Sequence, residues 1–140
     1  MSNVVIDASA LIKLYINEVG SPEVERAVKA ADSILAPDLL LAETGNILWK
    51  YVHRSELFAA DANKVLGDIL QMPIQLTASS ELIEPALNIA IETNRTVYDS
   101  IYLALAIQSA SILITADERL VNALATTRYA AYVRHVASAT

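Results

Sequence analysis

Residues 3–15 read NVVIDASALIKLY: three β-favouring apolar residues, Val4, Val5 and Ile6, run directly into Asp7. A small residue, a hydroxyl and apolar residues at helical spacing follow the acid. An unbroken apolar run is the signature of a parallel strand covered on both faces, unlike the alternating pattern of a half-solvated one. A lone carboxylate at the edge of a core is costly unless something compensates it. Either Asp7 does no more than cap the helix that follows, or the rest of the chain supplies the compensation.

Outward from this stretch, strand and helix patterns alternate. The spacing predicts a strand over 3–7, a helix over 8–16, and a stop at Gly20-Ser21-Pro22, with Ser21 as N-cap and Pro22 at the first position of a helix through Ala31. A short strand over 33–36 ends at Pro37. Asp38 then caps a long helix through Arg54, with Leu40, Leu41, Thr44, Ile47, Leu48 and Tyr51 at helical spacing. Ser55 opens a helix that closes near Met72-Pro73, and Ile74–Thr77 forms a strand. Ser79 or Ser80 caps a helix to Asn94, and another helix spans 97–109. A β-branched strand over 111–115, a helix over 117–125 and a strand over 132–136 complete the chain. Such alternation implies right-handed crossovers and a mostly parallel sheet with helices on both faces. The expected fold is therefore a three-layer α/β/α sandwich with four or five parallel strands, and residues 1–140 are expected to form one domain. In such folds ligands collect at the carboxyl ends of the strands. Asp7 stands at one such end, and Asp117 just past another, in ILITAD (112–117).

Composition narrows the function classes. Hydrophobic residues make up 54% of the 140, which leaves apolar surface for a partner or a second copy. Without cysteine, disulfide frameworks and thiolate metal sites are excluded. The first residues lack the basic segment and long apolar run of a signal peptide. The uncharged stretch 100–116 carries Gln108 and three serines and falls short of a membrane span. The expected location is the cytoplasm, with no membrane partner. The net charge of −6 argues against a nucleic-acid partner, provided that all 16 acids are free.

They do not all read as free. Most lie on polar helix faces. Four do not: Asp7 ends a buried strand, Glu43 lies among apolar residues in LLLAETGNILW (39–49), Asp99 lies in TVYDSIYLALAI (96–107), and Asp117 follows ILIT. Capping accounts for Asp7 and Asp117 singly, but not for Glu43 inside a helix. Convergence at one sheet edge accounts for all four. Packed carboxylates repel, and a divalent cation reverses that cost. Oxygen donors without cysteine or a paired histidine select hard ions, Mg²⁺ or Mn²⁺.

DASALIKLY (7–15), LLLAETGNIL (39–48), YDSIYLALA (98–106) and LITADERL (113–120), in this order, resemble the PIN-domain ribonucleases, and among them the VapC-type toxins of toxin–antitoxin pairs. The resemblance implies a Mg²⁺- or Mn²⁺-dependent endoribonuclease, usually dimeric, acting on RNA and inhibited by a small antitoxin protein. It maps the family's four acids onto Asp7, Glu43, Asp99 and Asp117, as ligands of one or two ions. Its small hydroxyl residue falls on Ser9, which would orient a water or a carboxylate, and the polar position before the last acid falls on Thr115. Setting the four acids aside leaves 12 against 10 basic residues, so the charge objection weakens. Lys13, Lys50, Arg54, Arg95 and Arg119 are the basic candidates for an RNA backbone.

The remaining candidates carry less. His53 and His135 are isolated and read as surface or packing residues. Trp49, Tyr51 and Phe58 flank a helix–helix turn and read as an apolar face, the expected homodimer contact. Tyr98 and Tyr102 pack beside the site, and Asn46 and Asn122 are candidates to hold a water. A phosphate-receiving signalling domain would need an aspartate ending the third strand and a lysine after the last; IQLTA has no such aspartate, and no lysine follows Lys64. An Asp-x-Asp phosphatase fails because position 9 is serine. A catalytically silent PIN-fold RNA-binding or scaffold protein is the alternative, and the intact quartet of acids stands against it.

Overall fold

The structure, a computed structural model, describes residues 3–138. Five short strands, β1 (Val4–Ile6), β2 (Ile34–Pro37), β3 (Ile74–Thr77), β4 (Ile112–Thr115) and β5 (Val133–His135), form one sheet in the order β3-β2-β1-β4-β5. Every pairing is parallel, with Val5 opposite Leu35 on one side and Leu113 on the other. The apolar runs lie where two-sided burial demands them: β1 and β2 are buried throughout, whereas the edge strand β3 is not.

The helices are α1 (Ala8–Leu11), α2 (Ser21–Ala30), α3 (Leu39–His53), α4 (Ala59–Gln71), α5 (Ser79–Thr93), α6 (Val97–Gln108) and α7 (Glu118–Leu124). From β1 the chain moves outward through β2 to β3, then returns across the sheet to β4 and β5. Right-handed crossovers therefore place α1–α4 on one face and α5–α7 on the other. The most apolar helix, α6, is buried from Ser100 to Ala106 and contacts β1, β2 and β4. The path reverses direction between β1 and β4, which opens a crevice at their carboxyl ends.

Several expected boundaries move, each for a local reason. The first helix is α-helical only to Leu11 and continues as a 3-10 turn over Ile12–Leu14. Ser21 is not the N-cap of α2. Gly20 holds that place with φ +95°, and the Ser21 hydroxyl instead accepts from the Glu18 N–H at 3.0 Å, tying back the preceding loop. Asp38 does not cap α3 with its side chain: its Oδ1 accepts from the Ser79 N–H at 3.1 Å and from the Ser79 hydroxyl, joining the end of β2 to the start of α5. Ser79 and Ser80 both lie inside α5, with Ala78 at its cap. Ser55 ends a helix rather than opening one. At φ 59° it follows the C-cap Arg54, with Ser55 N–H bonded to Val52 O and Glu56 N–H to Tyr51 O, a Schellman closure. The next helix begins four residues later, at Ala59.

Gly20 is a position where only glycine fits. A Cβ there would stand 3.0 Å from Val136 Cγ2 and 3.3 Å from Lys13 Cδ, on a left-handed backbone. Gly20→Ala is expected to lower unfolding free energy by about 1–3 kcal/mol, read as a lower midpoint in urea at unchanged slope.

Candidate metal and catalytic site

Asp7 leaves β1 in extended conformation and caps α1, with Oδ1 accepting from the Ala10 N–H at 3.0 Å. Asp117 does the same after β4, its Oδ1 accepting from the N–H groups of Arg119 and Leu120 at 3.0 and 3.2 Å. Because β1 and β4 are neighbours, the two capping acids stand side by side at the centre of the carboxyl edge. Glu43 reaches the same edge from α3. Asp99 reaches it from the first turn of α6, which is capped by Thr96 Oγ1 and so leaves the Asp99 side chain free of that duty. All four line one cleft of about 400 Å³, walled further by Ser9, Asn46, Lys50 and Tyr102.

Hydroxyls order the floor of this cleft. Ser9 Oγ donates to Asp7 Oδ1 at 2.7 Å and accepts from the Ala116 N–H at 3.0 Å, so it links the two strand ends. Thr115, fully buried, accepts from the Asp117 N–H at 3.0 Å. Tyr102 Oη donates to Glu43 Oε1 at 2.6 Å, and Arg95 pairs with Asp99 Oδ2 at 3.6 Å.

The electrostatics follow from this crowding. Burial pushes the Asp7 carboxyl up from 3.8 to about 6, against the pull of the Thr115 and Ser9 hydroxyls and the Ala10 N–H, with the Glu43 charge adding to the rise. Burial also raises Glu43, opposed by the Tyr102 hydroxyl and reinforced by Asp99. It raises Asp99, opposed by Arg95 and reinforced by Asp117. The repulsions thus run in series, from Asp7 through Glu43 and Asp99 to Asp117. The Tyr102 phenol, buried beside these anions, is driven far above its ordinary value and stays protonated.

The sequence of the chain matches the domain model of the PIN domain over residues 4–124. The chain belongs to the PIN domain family. It is 34% identical over 118 residues to "Ribonuclease VapC3" of Pyrobaculum aerophilum, covering 83% of this chain and 90% of that one. The crystal structure of PAE2754 from Pyrobaculum aerophilum superposes with a TM-score of 0.72 at 26% identity, over 98% of this chain and 85% of the other. A toxin–antitoxin complex from Klebsiella pneumoniae shares the fold, with a TM-score of 0.64 at 17% identity, over 95% and 97%.

In this PIN chain the basic candidates separate. Lys50 lines the acid cleft. Arg119 lines a neighbouring cavity of about 770 Å³, which shares Asp117 with the cleft and includes Gly20 and His135. The smaller cleft is the candidate site because it alone collects all four acids. Lys13 is occupied by Glu18 at 3.0 Å and by Val19 O at 2.6 Å, and Arg95 by Asp99. Exposed His53 stacks on Trp49 and His135 bonds to the backbone at Ala116 and Ala137; neither lines the acid cleft. Asn46 lines the cleft, whereas Asn122 is not among its walls. The Tyr102–Glu43 bond joins residues 59 apart and has no local sequence signal. The same holds for the cavity beyond Asp117.

Asp7 makes the metal-free protein sensitive to pH. Its folded pKa lies above the unfolded one, so the penalty it imposes is complete above pH 6 and disappears as pH falls toward 4. In EDTA at pH 7.5, Asp7→Asn, which keeps a capping oxygen, is expected to be more stable than the parent by about 1–3 kcal/mol. That gap should close near pH 4 in denaturant titrations.

Proposed function

We propose that this protein is a divalent-metal-dependent endoribonuclease that hydrolyses RNA phosphodiester bonds, as the toxin of a VapBC-type toxin–antitoxin pair. The observation that carries this reading is the convergence of Asp7, Glu43, Asp99 and Asp117, from two strand ends and two helices, on one cleft of a PIN fold. The donor set fits Mg²⁺ or Mn²⁺: the four carboxylates are oxygen donors, and at least three of them titrate high because they are buried among like charges. Among the described residues no three of the acids stand together as a ready coordination shell.

Asp7, Glu43, Asp99 and Asp117 would hold the ion. What it supplies is Lewis acidity toward the phosphodiester and its attacking water. The chain's own residues do the rest. Ser9 fixes the Asp7 carboxylate and the start of the β4–α7 turn together. Lys50, in the wall of the cleft, and Arg119, in the cavity next to it, offer cationic contacts to the RNA backbone. Exposed Trp49 and Phe58 at the α3–α4 turn, and Ile83, Leu87 and Ile91 along α5, are apolar surface for a second copy or the antitoxin. Tyr51 is not part of it, because its hydroxyl turns in to Glu18 at 2.5 Å. A homodimer, one domain over residues 1–140 and residence in the cytoplasm belong to the same reading. Among the described residues no helix is long and apolar enough to cross a membrane.

Purified protein is expected to cut total RNA internally with Mg²⁺ or Mn²⁺ and to stop in EDTA. Asp7→Asn should fold and lose at least about 100-fold in cleavage rate, as removal of a ligand at the centre of the site requires. A folded parent that binds Mn²⁺ but cleaves no RNA would instead support the silent RNA-binding alternative.

A further inference from the structure

Three of the four acids carry negative charge that a cation or the backbone already answers: Asp99 with Arg95, Asp7 and Asp117 with helix N–H groups. Glu43 is different. Its recorded hydrogen-bond partner is a neutral phenol, Tyr102, delivered from α6 to α3 over the carboxyl edge of the sheet. Tyr102 is 3% exposed and sits in a run where Ile101, Leu103, Ala104 and Leu105 are all buried apolar residues. Phenylalanine would fill the same volume, so packing alone does not call for a hydroxyl. A buried hydroxyl must find an acceptor, and here the acceptor is a cleft carboxylate rather than a backbone carbonyl.

The choice of donor matters. An arginine or lysine on Glu43 would neutralise the charge that attracts a cation. A phenol holds the carboxylate and leaves its charge in place. Glutamate also has more rotatable bonds than aspartate, and an untethered one loses that freedom when it takes a ligand. We propose that Tyr102 is the positioning residue of the cation site: its hydroxyl fixes the Glu43 carboxylate in the cleft and thereby tightens divalent-cation binding. The inference rests on the reading of Glu43 as a ligand given above.

The test is Mn²⁺ binding to RNA-free protein, by calorimetry, across a double-mutant cycle of Tyr102→Phe and Glu43→Gln. Tyr102→Phe should weaken Mn²⁺ about tenfold, as loss of a ligand-orienting partner does. In the Glu43→Gln background the same change should do nothing further. With RNA, kcat should fall in Tyr102→Phe while KM stays at the parent value. Parent-like Mn²⁺ affinity in Tyr102→Phe, beside a weakened Glu43→Gln, overturns the role of Tyr102 and leaves the metal site standing. An equal loss in both backgrounds also overturns it, as an effect of packing. Unchanged affinity in Glu43→Gln removes Glu43 as a ligand, and Tyr102 with it. Should Tyr102→Phe fail to fold, Glu43→Asp tests the same contact, since the shorter arm withdraws the carboxylate from the hydroxyl. Parent-like affinity there overturns the proposal as well.

Discussion

One hydroxyl sits between two strand ends that both terminate in acid. The Ser9 hydroxyl donates to Asp7 Oδ1 and accepts from the Ala116 N–H, so the carboxyl ends of β1 and β4 are joined through it. The sheet order makes this junction unavoidable. With β1 central and β4 beside it, the first and last acids of the cleft must be neighbours, and α3 and α6 close over them from opposite faces. The rest of the molecule serves that placement. Buried β1 and β4 fix where the strands end, and α6 lies against both, bringing Asp99 and Tyr102 to the same edge.

The arrangement opposes stability. Carboxylates raised by burial and mutual repulsion are a load that the folded chain carries in the absence of a counter-charge. Helix N-termini relieve part of it, because the N–H groups after Asp7 and Asp117 need acceptors in any case. Capping therefore does not rule out ligation by these two residues. The same side chain closes a helix with one oxygen and lines the cleft.

Much of this was legible in the sequence, because apolar runs and cap residues are local signals. The parallel sheet followed from VVI and ILI, and the acids stood out because Glu43 and Asp99 occur where the neighbours are apolar. What failed was the reading of single polar residues at boundaries. Ser21, Asp38 and Ser55 each have the chemistry of a helix start, yet the side chains of Ser21 and Asp38 bond elsewhere, to the Glu18 N–H and to Ser79, while Ser55 lies in a helix end closed through its backbone N–H. A short polar side chain can satisfy any nearby backbone group, and the tertiary fold decides which. Contacts across the sheet edge, such as Tyr102 with Glu43, depend on the assembled layers. Lys13, basic in the sequence, is already paired with Glu18 in the fold.

The way the protein occupies its own acids sets how much room remains in the cleft. Asp7 and Asp117 each commit Oδ1 to backbone N–H groups, Glu43 commits Oε1 to a phenol, and Asp99 turns Oδ2 to a guanidinium. Each of these oxygens keeps a further lone pair. Part of every acid's acceptor capacity is nonetheless already spent on the protein, so what the cleft can offer a ligand is set by two helix starts, a phenol and a guanidinium as much as by the acids themselves.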